Sequence, residues 1–244
     1  MSSSPPPAST HLALFLDIDG TLVDFTSTPS ETASDPEINA LLASLAKQLD
    51  GAVALVSGRA IRTIDALFAP LRLPASGLHG VERRDARGNL HGADDRDPGL
   101  DGLRLEAAAL ASRYPGTLIE DKGRSIGIHY RLAPEWAGAV RAAALALAAP
   151  LAGAYEVQEG AMLVEIKPRG VSKGTAIDAF LAETPFAGRQ PVFIGDDLTD
   201  QHGFDAVERH GGYSIGVGPL VAGTYHLDDV AAVRRWLGEM TARG

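Results

Sequence analysis

The stretch HLALFLDIDGT, residues 11–21, joins a run of almost wholly apolar residues directly to a polar cluster of Asp17, Asp19, Gly20 and Thr21. A continuous apolar run of this length is typical of a strand buried on both faces of a parallel sheet. Carboxylates two positions apart could divide covalent attack and proton transfer between them, and Gly20 lets the chain turn beside a phosphate. The alternative is a loop of exposed turn-forming residues.

Strand and helix patterns alternate after this stretch. Apolar residues recur at helical spacing from Ile38 to Leu45, and the apolar run Ala52–Val56 predicts a second buried strand followed by a short helix, Ile61–Phe68. After residue 168 the pattern resumes with helix Lys173–Leu181 and strand Val192–Ile194. Alternation of this kind predicts an α/β fold with a Rossmann-like parallel sheet covered on both faces.

The middle of the chain has a different character. Its strands alternate apolar and polar residues, which is typical of antiparallel sheets with one open face. The predicted strands are Thr117–Lys122, Ser125–Arg131, Tyr155–Gln158 and Met162–Lys167, and the predicted helices are Leu103–Tyr114 and Glu135–Ala149. We therefore expect an inserted α/β domain at 83–167 between core segments 11–82 and 168–244, preceded by a mobile Ser/Pro-rich tail at 1–10.

Composition narrows the range of functions. The chain has 244 residues and a formal charge of −9, so nucleic acid would be repelled overall and any phosphate site must be local. The absence of cysteine excludes disulfides, thiolate metal sites and cysteine nucleophiles. The N-terminal decapeptide lacks the features of a secretory signal and no apolar run is long enough to span a bilayer, so we expect a cytoplasmic protein without a membrane partner. The oligomeric state stays open, with a monomer among the possibilities.

Two further clusters lie where helices are predicted to begin. Ser57, Gly58 and Arg59 offer a hydroxyl, backbone amides and a guanidinium suited to phosphate oxygens, although a serine that caps a helix would explain the same pattern. Lys173 can balance the charge of a phosphate and an attacking carboxylate. A solvated surface lysine is the alternative.

The last cluster, Gly195-Asp196-Asp197-Leu198-Thr199-Asp200, places three carboxylates within five positions. They repel one another unless a cation or a basic group lies between them. Oxygen ligands without Cys, and with few His nearby, favour Mg²⁺ over zinc. The alternative is an Asp-rich first turn of a helix, which the helix dipole would favour.

In order and spacing, the clusters resemble the four motifs of the haloacid dehalogenase (HAD) superfamily, and the resemblance covers nearly the whole chain after the tail. It implies an HAD-like core with an inserted cap, Asp17 as nucleophile and Asp19 as acid and base. It also implies Mg²⁺ held by Asp17, the Asp19 carbonyl and Asp196, with Asp197 and Asp200 behind these ligands. The phosphate would be bound by Gly20, Thr21, Ser57, Gly58, Arg59 and Lys173.

Narrower features resemble trehalose-6-phosphate phosphatases. These are Gly77-Leu78-His79-Gly80-Val81-Glu82, Glu120-Asp121-Lys122-Gly123, His129-Tyr130-Arg131 and Glu165-Ile166-Lys167-Pro168. By this resemblance, Glu120, Lys122 and Glu165 bind the sugar. Gln201-His202 departs from the family, which usually continues with acidic residues after its last motif aspartate.

Strand periodicity agrees with a polar face in the inserted domain. Alternate residues share a face, so His129 and Arg131 lie opposite the apolar residues of their strand, as does Glu165 in its own. Such a face can hydrogen-bond sugar hydroxyls, but an ordinary solvated sheet face has the same alternation. His79 and Glu82 could simply support the interdomain hinge.

We therefore expect a phosphoric monoester hydrolase that cleaves trehalose 6-phosphate in an Mg²⁺-dependent reaction through an aspartyl phosphate. One alternative is a phosphatase of another sugar phosphate, such as sucrose 6-phosphate or a mannosyl phosphate. Another is a non-catalytic phosphosugar-binding regulator, which would need to have lost the nucleophile, the acid or the metal site.

Overall fold

The computed structural model describes residues 5–6, 9, 11–24, 36–92, 97–160 and 162–241. The chain divides into two compact units. The core unit comprises Met1–His91 and Ser172–Gly244, and the inserted unit is Gly92–Val171. Most of the tail predicted to be mobile lies outside the described residues; in the part that is described, the Pro6 carbonyl accepts a hydrogen bond of 3.2 Å from Trp236 Nε1.

Twelve strands and seven α-helices make up the regular structure of the described residues. The strands are β1 Leu12–Leu16, β2 Val53–Val56, β3 Ala75–Gly77, β4 Glu82–Arg84, β5 Leu90–His91, β6 Leu118–Asp121, β7 Ile126–His129, β8 Tyr155–Gly160, β9 Leu163–Pro168, β10 Gln190–Gly195, β11 Tyr213–Val217 and β12 Tyr225–Leu227. The helices are α1 Pro36–Gln48, α2 Ile61–Leu67, α3 Asp101–Arg113, α4 Ala137–Ala148, α5 Lys173–Leu181, α6 Gln201–Arg209 and α7 Val230–Thr241. None of these helices is both long and apolar enough to cross a bilayer.

The core unit is built on an eight-stranded sheet in the order β12-β11-β10-β1-β2-β3-β4-β5. Strands β12 to β3 in this order run parallel, as the alternation of strand and helix predicts. Every residue of β1 is buried because both faces of the sheet are covered. Leu16 of β1 pairs with Ile194 of β10 and Leu55 of β2, so these three strands end at one edge of the sheet.

Strands β4 and β5 lie close to the predicted start of the inserted domain at residue 83. The sequence placed the boundaries of that domain after residues 82 and 167, whereas the units divide after His91 and after Val171. Strand β4 pairs antiparallel with β3, and β5 pairs with β4, so both strands extend the core sheet. Strand β4 has three residues and β5 has two, so neither is long enough to show an apolar pattern of its own.

The inserted unit has an antiparallel sheet in the order β6-β7-β9-β8. One face carries Ile126, Ile128, Val164 and Ile166, which are buried with apolar residues of α3 and α4. The other face carries a polar row, because Glu120 pairs with Gly127, Gly127 with Glu165, and Glu165 with Gln158. The predicted alternation of apolar and polar faces is therefore present.

Candidate active site

Three of the predicted site residues follow parallel strands. Asp17 follows β1, Ser57 follows β2 and Asp196 follows β10, and these strands are neighbours in the core sheet. Asp17 is anchored by its N–H, which donates to the Ile194 carbonyl at 3.0 Å. The side chains are thus presented at the carboxyl edge of the sheet, where open α/β sheets bind ligands.

Lys173 is the first residue of α5 and only 3% of it is exposed. Its Nζ donates to Asp17 Oδ1 at 2.7 Å and to Asp200 Oδ1 at 2.5 Å. Ser172 precedes it as the N-cap residue, and its side chain accepts from the N–H of Thr175 in a reciprocal capping box. The alternative of a solvated lysine is therefore wrong, because Lys173 is buried between two carboxylates.

Asp200 is fully buried, and both of its carboxylate oxygens are engaged. Oδ1 accepts from Lys173, and Oδ2 accepts from the N–H groups of Asp196 and Asp197, each at 2.9 Å. Asp197 caps the short 3-10 helix Leu198–Asp200, its Oδ1 accepting from the Leu198 N–H at 2.7 Å. The helix-start alternative thus accounts for Asp197 and in part for Asp200, and it leaves Asp196 unexplained.

The carboxylates of Asp17, Asp196 and Asp200 have oxygens within 4.8 Å of one another, and all three residues are buried. Burial raises the pKa of Asp17 well above its usual range, against the attraction of Lys173. Burial and the nearby Asp200 raise the pKa of Asp196 to about 7. Burial alone would lower the pKa of Lys173, but Asp17 and Asp200 outweigh it and hold that pKa above its ordinary value.

With all three carboxylates ionised, this buried cluster would hold more negative charge than Lys173 can neutralise. An additional cation that prefers oxygen ligands, such as Mg²⁺, would suit this cluster. Because the oxygens of Asp200 are already engaged, Asp17 and Asp196 are the side chains that would hold the ion. The Thr21 hydroxyl, 3.4 Å from Asp196 Oδ1, donates to the same carboxylate.

Asp19 is held by Arg59 in a two-point ion pair. Arg59 Nε donates to Asp19 Oδ2 at 2.7 Å and Nη2 donates to Oδ1 at 2.6 Å. Gly20 has a φ of +81°, and its N–H donates to the Val23 carbonyl at 2.7 Å, which closes a tight turn. In the structure the Arg59 guanidinium therefore contacts the predicted acid, whereas the sequence pointed only to a phosphate.

Ser57 does not cap a helix. It is buried, its hydroxyl accepts from the Arg59 N–H at 3.2 Å, and the N-cap residue of α2 is Ala60. Gly58 packs so closely on His79 that a Cβ at position 58 would lie 2.6 Å from His79 Nε2. The helix-cap alternative is therefore wrong, and a side chain at position 58 would have to displace the His79 ring.

Glu82 has a specific role that the sequence left open. Its Oε1 accepts a 3.1 Å hydrogen bond from the N–H of Ile61, the first residue of α2.

The two residues that depart from the family pattern, Gln201 and His202, are exposed at the start of α6. Gln201 donates to Asp205 on the same helix at 3.1 Å.

A second polar cluster lies in the inserted unit. Lys122 Nζ is 3.1 Å from Glu165 Oε1 and 3.8 Å from Glu120 Oε2, and Ser125 donates to Glu165 Oε1 at 2.8 Å. Burial would lower the pKa of Lys122, but Glu165 and Glu120 outweigh it and raise that pKa. Only 2% of Glu165 is exposed, so this face is not merely a solvated sheet surface.

The inserted unit brings together four of the five predicted sugar-binding residues. His129 Nε2 lies 2.9 Å from Glu120 Oε2, which joins it to the cluster around Lys122 and Glu165. Arg131 lies exposed in the turn after β7 and takes no part in these contacts. Sequence reasoning missed Ser125, because its contact with Glu165 depends on how the strands pair.

The fold, with a parallel-sheet core and an inserted cap unit, is that of the phosphatases of the HAD superfamily. Residues 15–229 match the Trehalose-phosphatase family, and the chain belongs to this family of phosphoric monoester hydrolases. It is 43% identical over 240 residues to the "Probable trehalose-phosphate phosphatase" of Sinorhizobium fredii, covering 94% of this chain and 86% of that one. It is 40% identical over 237 residues to the trehalose-6-phosphate phosphatase of Escherichia coli, covering 97% and 89% of the two chains. The crystal structure of a trehalose-6-phosphate phosphatase related protein superposes with a TM-score of 0.79 at 27% identity, covering 96% of this chain and 98% of that one.

Proposed function

We propose that this protein hydrolyses trehalose 6-phosphate to trehalose and phosphate through a phosphate ester on Asp17. The observation that carries the proposal is the buried contact of Lys173 with Asp17 at the end of β1, beside Asp196. Membership of the family, and the names of relatives that match over most of the chain, support the choice of substrate. The proposal assigns the chain to trehalose biosynthesis.

The chemistry divides between two carboxylates. Asp17 attacks phosphorus, the bond from phosphorus to the sugar oxygen breaks, and Asp19 donates a proton to that oxygen. Asp19, now a carboxylate, then takes a proton from the water that attacks the phosphoaspartate. Arg59 contacts both carboxylate oxygens of Asp19 in the structure.

Charge at the phosphate is balanced locally. The Lys173 ammonium lies against Asp17 and can contact a phosphate oxygen there, and the Ser57 hydroxyl belongs to the same sheet edge. Asp17 and Asp196 would hold Mg²⁺, with the Asp19 carbonyl as the further ligand that the family resemblance implies. A bound Mg²⁺ supplies positive charge that stabilises the oxygens of a transferring phosphoryl group.

The proposal assigns sugar recognition to the polar face of the inserted unit. Lys122 and Glu165 form its buried part, and Glu120 and His129 form its more exposed part. Donors and acceptors on one face suit the hydroxyls of a sugar, which both donate and accept. Arg131 lies exposed outside this cluster.

The test is phosphate release from trehalose 6-phosphate, sucrose 6-phosphate, a mannosyl phosphate and glucose 6-phosphate, with Mg²⁺ or with chelator. We expect trehalose 6-phosphate to be preferred and chelation to abolish turnover. Asp17→Asn should be inactive, because an amide is a poor nucleophile, and Asp19→Asn should accumulate phosphate on Asp17 from a substrate with a good leaving group. A different preferred sugar would identify another sugar phosphatase, and binding without turnover would identify a regulator.

A further inference from the structure

Arg104 of α3 contacts both neighbours of Lys122. Its Nε donates to Asp121 Oδ2 at 2.9 Å, and its Nη2 donates to the Gly123 carbonyl. The guanidinium therefore spans the turn between β6 and β7 in which Lys122 lies. Nothing in the sequence motifs draws attention to Arg104, because it lies in a helix 18 positions earlier in the chain.

The turn depends on the carboxylate that Arg104 binds. Asp121 Oδ1 accepts a 2.9 Å hydrogen bond from the N–H of Gly123, while Oδ2 accepts from Arg104. Gly123 has a φ of +83°, and the Lys122 N–H donates to the Ser125 carbonyl at 2.9 Å. The backbone on both sides of Lys122 is thus fixed by hydrogen bonds that meet at Asp121 and Arg104.

Arg104 is itself held in place by hydrogen bonds to Asp97 and Asp101. Its Nη1 donates to the Asp97 carbonyl at 3.0 Å and to Asp101 Oδ1 at 2.8 Å, and its side chain is 11% exposed. The Asp97 carboxylate accepts from the hydroxyl of Tyr155 on β8 and from the Gly99 N–H. A guanidinium with donors on several sides suits this arrangement, whereas a lysine ammonium lacks the planar fork.

We propose that Arg104 is a positioning residue for sugar recognition, because it holds the turn that directs Lys122 toward Glu165 and Glu120. The inference rests on the function proposed above. Lys122 Nζ lies 3.1 Å from Glu165 Oε1, and a small shift of the turn would separate them. A loosened Lys122 would bind the sugar less well while leaving the phosphoryl chemistry of the core unit unchanged.

The kinetic test compares trehalose 6-phosphate with a small aryl phosphate that lacks the sugar. In Arg104→Ala we expect kcat/KM for trehalose 6-phosphate to fall on the order of 10-fold, chiefly through KM, with the aryl phosphate rate unchanged. Arg104→Lys should behave like Arg104→Ala. In the double variant with Lys122→Ala, the added loss should be small, because Arg104 acts through Lys122.

Arg141→Ala is the matched control. Arg141 belongs to the same unit, and its ion pair with Glu159 is exposed, with side chains 58% and 54% accessible. We expect wild-type kinetics on both substrates. Equal losses on both substrates in Arg104→Ala, or additive losses with Lys122→Ala, would overturn the positioning role.

A second measurement does not depend on the substrate. Amide hydrogen exchange by NMR at Gly123 and Arg124, whose N–H groups donate within the turn, should accelerate in Arg104→Ala and not in Arg141→Ala. Unchanged exchange at these amides would overturn the inference even in an enzyme active on trehalose 6-phosphate. A wild type inactive on trehalose 6-phosphate would instead overturn the proposed function.

Discussion

Asp200 shows how a buried carboxylate can organise a site without a free oxygen for a ligand. Its three hydrogen-bond partners, Lys173 and the N–H groups of Asp196 and Asp197, are all donors. A side-chain amide at this position would have to point its NH2 group at one of them. The charge of Asp200 also compensates the buried ammonium of Lys173, so its removal leaves that charge poorly paired.

Asp200→Asn should therefore lower the free energy of unfolding by about 3 kcal/mol, the usual cost of breaking a buried ion pair. Urea denaturation monitored by circular dichroism measures this change. The matched control is Asp178→Asn, whose partner Arg209 is 59% exposed and which should cost less than about 1 kcal/mol. A loss in Asp200→Asn no larger than in the control would contradict the assigned role.

The contact between helices α5 and α6 places Lys173 and depends on Gly174. A Cβ at Gly174 would lie 2.3 Å from the His202 carbonyl oxygen, which belongs to the backbone of α6. The contact cannot be relieved by a side-chain rotation, so the helices must move apart. Because Lys173 precedes Gly174 on α5, such a movement would also disturb its bonds to Asp17 and Asp200.

We expect Gly174→Ala to lower the melting temperature and to reduce phosphatase activity on every substrate, since the change acts on the core unit. Gly238→Ala is the control, because Gly238 lies within α7 with nothing within 4 Å of its added Cβ. That variant should gain about 0.5–1 kcal/mol from helix propensity and keep its activity. Thermal unfolding measures the melting temperature, which should fall in Gly174→Ala and rise in Gly238→Ala. Phosphate release measures activity, which should fall only in Gly174→Ala.

At the scale of the whole molecule, we expect the buried acid cluster to couple the free energy of unfolding to metal binding. Asp17, Asp196 and Asp200 lie together in the core unit with Lys173 as their compensating cation. A ligand that binds only the folded state stabilises it by mass action. An ion held by Asp17 and Asp196 should therefore act on the unfolding transition as well as on turnover.

Mg²⁺ at about 100 times its Kd should add roughly 2.7 kcal/mol to the free energy of unfolding of the wild type. Asp196→Asn should be at least as stable as the wild type in chelator, because one buried negative charge is removed, and should gain little from Mg²⁺. Differential scanning calorimetry with and without Mg²⁺ measures both. A full Mg²⁺ response in Asp196→Asn would show that the ion is held elsewhere.

Local features of the chain were predictable from sequence. The apolar run before Asp17 forms β1, and the predicted helix Lys173–Leu181 coincides with α5, because an N-cap serine and a regular apolar pattern act within a few residues. The parallel sheet of the core and the two-faced sheet of the inserted unit also follow from periodicity. These signals depend on neighbours in the chain, so a single sequence contains them.

Contacts between distant segments were not predictable in this way. The pairing of Asp19 with Arg59 and that of Ser125 with Glu165 each join residues 40 positions apart. The membership of β4 in the core sheet depends on its register with β3 and not on its own three residues. Packing and strand register bring these groups together, and neither produces a periodic pattern in the sequence of the segments concerned. The residue types predicted to take part in phosphoryl transfer are therefore readable along the chain. Their hydrogen-bond partners are set by the fold, because those partners come from segments far apart in sequence.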